Sequence, residues 1–370
     1  MKLAPRLILC GLATLALGCA QENPSAPTGV VTETGPQALR SPFPRGLVVM
    51  MQNIYVGTDV DAVIGALATP DPNDDVPALL GAVATLNETD FSARAAGFAD
   101  QVRRFRPDVI GLVEISTIDI DLDLTPLGGP HIVAHEDFLP ELTAALAREH
   151  LHYRVAAVNR NFVVAPLPGV SLTDYDVTLV DAGVRIGPDV VAHNFTANVG
   201  TVAPGVTITY GFTSVPVTVA GRQYIVATTH LQDDVGSADL TLLRAAQMQE
   251  LVAAIPDGRP AVIMGDMNDF AGTPMYQVAT GAGYTDAWAA LRPGLDGFTC
   301  CHATNLTNAR IPDQRIDYVF ARGFGHHDDP IQGWIARFGF LPRDMVQGPL
   351  HPLFISDHIG LVAAVSGRQH

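Results

Sequence analysis

Lysine is almost absent from this chain: Lys2 is the only one, and every other basic side chain is an arginine. Basic residues number 22 against 38 acidic ones, a formal net charge of −16 at pH 7. A protein that grips long nucleic acid without sequence preference gains most of its affinity by neutralising phosphates, and so carries a basic footprint. The absence of one here disfavours that class, although a metal ion can supply positive charge locally on an acidic, well-solvated surface. Long apolar runs are missing too. Leu7–Gly18 is nearly free of polar residues but too short to span a membrane comfortably. Cysteines number four, and Cys10 and Cys19 lie in the N-terminal segment, leaving the adjacent pair Cys300 and Cys301 for the folded part. Such a pair either closes into a vicinal disulfide in an oxidising compartment or packs as two thiols. Its spacing does not suit tetrahedral zinc, even with His302 beside it.

The N-terminus has the form of an export signal, with Lys2 and Arg6 ahead of the apolar run. Ala16-Leu17-Gly18-Cys19 resembles the lipobox of bacterial lipoproteins, in which the cysteine becomes the lipidated first residue; cleavage near Ala20 is the alternative. Residues 1–18 are therefore expected to be a lipoprotein signal peptide, and residues 19–45, rich in Pro, Thr, Ser and Gly, a flexible tether. No internal repeat or second linker interrupts the remainder of the chain, so residues 46–367 are expected to form one domain. This organisation implies an exported protein held at a membrane through lipid on Cys19, and a monomer.

Within the domain, Gly46–Ile54 and Val109–Val113 read as buried strands. Phe91, Ala95, Phe98, Ala99, Val102 and Phe105 recur at helical spacing before Pro107. A helix is predicted near Glu136–Glu149 and another over Asp239–Ile255. Tyr153–Thr229 reads as hairpins rich in Val and Thr, with further strands at Tyr224–Thr229, Ala261–Met264, Ile316–Ala321 and Ile359–Val365. Strands mixed with helices around a β-rich middle argue for two packed sheets covered by helices.

Several buried runs end in polar residues, and strand ends are where α/β folds place their sites. The segments are Gln52-Asn53-Ile54, Gly111-Leu112-Val113-Glu114, Thr229-His230-Leu231, Gly265-Asp266-Met267-Asn268, Arg315-Ile316-Asp317-Tyr318 and Ser356-Asp357-His358. Glu114 is a carboxylate at the end of a buried run, and a hard oxygen ligand is what Mg²⁺ requires; alone it reads as a loop glutamate. Asp266 and Asn268 alternate with an apolar residue and share a face if the segment is extended, whereas by itself the segment reads as an Asx-rich turn. An imidazole paired with a carboxylate keeps a proton near neutral pH, but any partner for His358 or His230 has to come from the fold.

Taken together and in this order, the segments resemble the deoxyribonuclease-I-like endonuclease/exonuclease/phosphatase superfamily across about residues 47–365. The resemblance implies an α/β (α+β) fold, a four-layer αββα sandwich of two packed mixed β-sheets flanked by helices, with its site at one edge and Mg²⁺ or Mn²⁺ bound. It implies Glu114 as the principal metal ligand, with Asn53 beside it and Asp357 directed at the same ion or bridged by water. Asp266 would position or deprotonate the attacking water, and the Asn268 amide would donate to a phosphate oxygen. Asp317 would orient His358, which serves in acid/base catalysis and contacts phosphate, and His230 would stabilise or protonate the leaving oxygen.

The activity so implied is metal-dependent cleavage of a phosphate ester by in-line attack of water, on nucleic acid, a phospholipid headgroup or a soluble phosphoester. The competing readings are a phospholipid or small-molecule phosphatase of the same fold, and a surface lipoprotein that binds without catalysis. Outside the pattern, Gly57–Asp90 reads as a long acidic loop and Asp119, Asp121 and Asp123 as a solvated loop or a Ca²⁺ site. Asp174 and Asp176 fall where the resemblance puts a substrate contact, and Arg244 and Gln247 read as structural.

Overall fold

The computed structural model describes residues 46–366 apart from 68, 70, 71, 126–129, 204, 235–237 and 325–330. The expected signal peptide, tether and Cys19 lie outside the described residues, as does residue 367.

The chain begins with β1 (Leu47–Asn53), α1 (Val60–Leu67), α2 (Pro72–Thr89), α3 (Phe91–Phe105), β2 (Val109–Asp123), β3 (His131–Asp137) and α4 (Phe138–Arg148). The β-rich middle comprises β4 (Tyr153–Leu167), β5 (Val170–Asp181), β6 (Arg185–Ile186), β7 (Val191–Asn194), β8 (Gly200–Ala203), β9 (Val206–Ile208), β10 (Gly211–Val219) and β11 (Arg222–His230). Then come α5 (Thr241–Ala254), β12 (Ala261–Asp266), α6 (Pro274–Gly281), β13 (Thr285–Asp286), α7 (Ala287–Leu291), β14 (Asp317–Arg322), β15 (Gln332–Phe338), β16 (Val346–Gln347), β17 (Pro352–Leu353) and β18 (Gly360–Ser366). A nine-stranded sheet runs β15-β18-β1-β2-β5-β4-β9-β8 with β3 on β2, and a seven-stranded sheet runs β13-β14-β12-β11-β10-β6 with β7 on β10. Both are mixed: β1 and β2 pair in parallel, as do β11 and β12, between antiparallel neighbours. The expected sandwich of two mixed sheets flanked by helices is present.

Alternation along each strand builds the layers. Leu47, Val49 and Met51 of β1 meet Val226, Val262, Met264 and Val319 of the other sheet in one apolar cluster, while Met50 faces outward with Phe98, Ala99 and Val102 of α3. On the second sheet Ile225 and Ile263 turn outward to Met248 and Leu251 of α5. Each such fully buried side chain contributes roughly 1.5–3 kcal/mol of hydrophobic stabilisation before entropy is counted. Where β2 crosses the other sheet, the two faces come unusually close. Thr178 bonds the hydroxyls of Thr213 at 2.6 Å and Thr228 at 2.8 Å, and its neighbour in register is Gly111. A Cβ on Gly111 would sit 2.6 Å from Thr228 Oγ1 and 2.7 Å from Met264 Cε, so only glycine fits there.

Two sequence expectations are corrected. Residues 57–90 are not a long acidic loop but carry α1 and α2: Pro72 opens α2 and Asp74 and Asp75 fill its first turn, where carboxylates oppose the helix dipole. Pro77 lies inside the helix, within its first turns, so it does not break the run that follows. The Asp119, Asp121 and Asp123 run belongs to β2 and is not a solvated loop. The alternating Ile118 and Ile120 are buried, while Asp119 pairs with His135 at 2.6 Å and Asp121 with His131 at 2.7 Å on the open face.

Replacing Gly111 with alanine is expected to overpack the contact between the sheets and destabilise the domain by about 1–3 kcal/mol. A urea unfolding midpoint equal to that of the wild type would show that the sheets separate there without cost.

Candidate active site

Strand ends bring the polar residues to one rim of the sandwich. On the seven-stranded sheet His230, Asp266 and Asp317 lie in one row, paired across β11, β12 and β14. On the nine-stranded sheet Asn53 closes β1, and Glu114 lies within β2 at a register shift between Leu112 and Ile115. There its φ is +57°, a left-handed conformation. A bulge of this kind re-aims the side chain it carries. Without it Glu114 would keep the strict alternation of β2 and face the other side of the sheet from its present partners. The Ser356-Asp357-His358 segment arrives just before β18.

Hydrogen bonds then join the two sheets. Asn53 Nδ2 donates to Glu114 Oε1 at 2.7 Å and to Asp266 Oδ2 at 3.1 Å. The backbone N–H of Val56 donates to Glu114 Oε2 at 3.0 Å. His358 Nδ1 donates to Asp317 Oδ2 at 2.8 Å, which leaves Nε2 facing Asp266 Oδ2 at 3.7 Å. Asn268 Nδ2 donates to His230 Nε2 and to the carbonyl of Leu231, both at 3.0 Å. The segment carrying Asp266 and Asn268 is not extended, as sequence alternation suggested. The strand stops at Asp266, Asn268 takes φ +48°, and its backbone N–H donates to Asp266 Oδ1 at 2.9 Å. The Asx turn and the site geometry are therefore the same feature.

Burial sets the charges. Burial and the neighbouring charge of Asp357 push the Glu114 carboxyl up to about 8. Asp357 is raised by burial against the opposing pull of His358 and Arg94, and Asp266 is raised by burial and by Asp317. Burial alone would depress His358, but Asp317, Asp357 and Asp266 outweigh it and hold the imidazole well above its usual value. His230 has less compensation, and burial pushes it down to about 4. Asp266, Asp317 and His358 place one potential ligand atom each within 4.8 Å of one another.

The structure thus gathers Asn53, Glu114, His230, Asp266, Asn268, Asp317, Asp357 and His358 at one rim. It also buries Asp174 and Asp176 beside them: Asn161 Nδ2 donates to both at 2.9 Å, and Asp176 Oδ2 accepts the His230 backbone N–H at 3.3 Å. Arg244 and Gln247 brace the loop after His230, bonding Asp234 at 2.8 Å and the Gln232 N–H at 2.9 Å. Sequence reading missed Arg94. It is 1% exposed, and it donates to the carbonyls of Thr89 at 2.9 Å, Ile54 at 2.6 Å and Tyr55 at 3.2 Å, tying α3 to the loop after Asn53. Its signal was a charge on the apolar face of α3, one turn from Phe91 and from Phe98. Ser356 was missed as well; its hydroxyl donates to the Asn53 carbonyl at 2.6 Å and locks the His358 segment to β1. Cys300 and Cys301, left open by sequence, are joined as a vicinal disulfide. The imidazole beside the pair is His358, since His302 stacks on Phe354 instead.

Two packed mixed sheets under helices, with carboxylates, amides and imidazoles gathered at one rim, define an αββα sandwich protein with an edge site. The Endonuclease/Exonuclease/phosphatase family matches residues 61–358, and the chain belongs to it; members of that family are phosphoester hydrolases. Among solved structures it is similar to the endonuclease/exonuclease/phosphatase from Beutenbergia cavernae, at 21% identity and a TM-score of 0.57, covering 88% of this chain and 72% of the other. The endonuclease/exonuclease/phosphatase from Bacteroides vulgatus matches at 16% identity and a TM-score of 0.53, covering 88% and 100%. A mannosyl-6-phosphatase from Bacteroides thetaiotaomicron matches at 14% identity and a TM-score of 0.53, covering 86% and 99%. At these identities the likeness establishes the fold. A search of curated proteins finds no significant match.

Replacing Asp317 with asparagine removes the carboxylate bonded to His358 Nδ1 and leaves the burial that disfavours its charge. The His358 titration, tracked by NMR of the imidazole, is expected to move down in pH. An unmoved midpoint would mean that Asp317 does not hold the ring's charge.

Proposed function

We propose that this chain is a metal-dependent phosphoester hydrolase that cleaves its substrate by in-line attack of water. The observation that carries the reading is the arrangement around Asp266: Asn53 ties its carboxylate to Glu114, while His358, backed by Asp317 at 2.8 Å, turns Nε2 toward the same carboxylate. A base for water and a charged donor for phosphate thus lie side by side at the rim.

Glu114 and Asp357 fit a hard divalent cation such as Mg²⁺ or Mn²⁺. The charge of Asp357 helps raise Glu114, and among the described residues neither has an arginine salt bridge. Asn53 supplies the amide that orients Glu114. A bound ion there polarises a phosphoryl oxygen and offsets the charge that develops on it. The side chains of the site have distinct tasks. Asp266, raised by burial, is a stronger base than a surface aspartate and takes the proton of the attacking water. Protonated His358 donates from Nε2 to a phosphoryl oxygen, and Asp317 holds its ring. The Asn268 amide, which bonds His230 Nε2 and the Leu231 carbonyl in the free protein, would release one of these partners to donate to phosphate. His230, neutral at pH 7, accepts from Asn268 in the free protein and suits a hydrogen-bonding role better than proton delivery to the leaving oxygen.

The acidic chain argues against a long nucleic-acid duplex gripped without sequence preference, leaving short or single-stranded nucleic acid, phospholipid headgroups and soluble phosphoesters as substrate classes. Export and anchoring through lipid on Cys19 belong to the same proposal, rest on sequence alone, and would put a headgroup within reach.

The test is hydrolysis of DNA, RNA, sphingomyelin, bis-p-nitrophenyl phosphate and p-nitrophenyl phosphate with Mg²⁺ or Mn²⁺ and with EDTA. EDTA-sensitive turnover of one class is expected, with His358→Ala and Glu114→Ala each lowering kcat/KM by at least about 10²-fold while circular dichroism stays native; wild-type turnover in either variant overturns the site. A second consequence concerns stability. The folded Glu114 carboxyl, raised from 4.5 to about 8, holds a proton that the unfolded chain has released over that interval, so metal-free stability falls as pH rises through it. Mg²⁺ or Mn²⁺ is expected to raise the melting temperature at pH 8 in the wild type and not in Glu114→Ala; equal shifts in both would place the cation elsewhere.

A further inference from the structure

The Cys300–Cys301 disulfide has no part in the proposed hydrolysis, yet it touches that machinery. Cys301 Sγ lies 3.9 Å from His358 Nε2, the ring nitrogen left free by Asp317. Cys300, Cys301 and His358 each place one ligand atom within 4.8 Å of the others. The segment bearing the pair is wedged between two strand ends of the site. The Thr299 carbonyl accepts the Ile359 N–H at 2.7 Å, and the Thr299 hydroxyl accepts the Asp317 N–H at 3.3 Å. The Asp357 carbonyl accepts the His302 N–H at 2.7 Å.

The two cysteines are held differently. Cys300 is 3% exposed, and its backbone exchanges hydrogen bonds with Gln314 at 3.0 Å in both directions. Cys301 is only partly buried. If the S–S bond opens, the sulfurs must separate to van der Waals contact, and Cys301 is the side chain with room to turn. Its near polar neighbour is the Nε2 proton of His358. As half of a disulfide, Cys301 sulfur is fixed at 3.9 Å from Nε2, a long contact for an N–H donor. As a free thiol it can rotate and accept from Nε2, taking the place of a phosphoryl oxygen.

We infer that the Cys300–Cys301 pair is a redox modification site that gates the active site: the disulfide holds Cys301 back from His358 Nε2, and reduction lets it close on that nitrogen and cap it. The reductant is a dithiol. Exchange breaks the Cys300–Cys301 bond through a mixed disulfide; two electrons pass from the dithiol, which closes to its own disulfide, and its two protons go to the cysteine sulfurs. The consequence for activity rests on the hydrolase reading, whereas the contact with His358 does not.

The experiment uses the full chain, oxidised or treated with dithiothreitol, with the state of the pair read by peptide mass spectrometry. Two readouts are taken: the imidazole ¹⁵N resonance of His358, which needs no substrate, and hydrolysis of the p-nitrophenyl esters. Reduction is expected to shift the resonance and to lower kcat/KM by on the order of 10²-fold, the scale of losing one acid/base group, with recovery on reoxidation. The variants should split asymmetrically. Cys300→Ala, which frees the Cys301 thiol, should match the reduced protein with or without dithiol. Cys301→Ala should match the oxidised protein under both conditions. An unchanged resonance on complete reduction of the wild type overturns the inference, and so does a dithiol response that persists in Cys300→Ala/Cys301→Ala, which would expose metal chelation by the dithiol. If oxidised wild type hydrolyses neither these esters nor DNA, RNA or sphingomyelin, the hydrolase reading fails and the resonance alone decides the gate. Should a variant lose its near-ultraviolet circular dichroism, reduction and reoxidation of the wild type decide it.

Discussion

The Asn53 amide is the contact on which the site depends. It donates to Glu114 on one sheet and to Asp266 on the other, so it fixes the distance between two buried carboxyl groups. Neutral donors hold them because the rim has so little cationic help. A buried carboxylate without a cation is costly unless it is hydrogen-bonded or protonated, and the raised Glu114, Asp266 and Asp357 show that cost directly. The same deficit is what makes the rim a place for a divalent ion or a protonated histidine.

What lets Asn53 reach both sides is the packing behind it. Gly111 and the hydroxyls of Thr178, Thr213 and Thr228 allow the sheets to approach closely. The bulge in β2 turns Glu114 toward the rim. Arg94 closes the arrangement from the outside: its guanidinium reaches the carbonyls of Ile54 and Tyr55 and lies over the Phe91 ring at 5.0 Å, so the loop after Asn53 cannot drift from α3. Its burial lowers its pKa to about 10, still charged at neutral pH, and its field is felt at Asp357. Strand, bulge and buried arginine thus act on the same few carboxylates, and the two histidines take opposite charge states from their surroundings. His358 is held charged by several carboxylates, whereas His230 has Asp266 to offset its burial, the nearby Asp174 and Asp176 being themselves raised by burial.

Much of this was legible in the chain. Apolar runs ending in Asn53, Glu114, His230, Asp266 and Asp317 mark the strands, because a buried strand must hand over to polar residues where it meets solvent. The helix over Phe91–Phe105 is explained by its spacing. Illegible were α1 and α2, whose aspartates imitate an acidic loop, and the outer part of β2, whose isoleucine–aspartate alternation was present but overshadowed by the charge of Asp119, Asp121 and Asp123. Arg94 and Ser356 escaped because their partners are backbone carbonyls far along the chain, which leave no trace in local pattern.

Sequence by itself determined the fold class, the strand ends and the residue types that gather there, since periodicity and composition decide which segments are buried and which are not. The family resemblance implied that Asp317 orients His358; only the tertiary structure decided that Asn268 serves His230, that Asn53 spans both sheets, and that Cys301 lies near the second ring nitrogen of His358. These are pairings between residues tens to hundreds of positions apart. Such pairings are set by strand register and by the separation of the sheets, and neither is encoded at any single position.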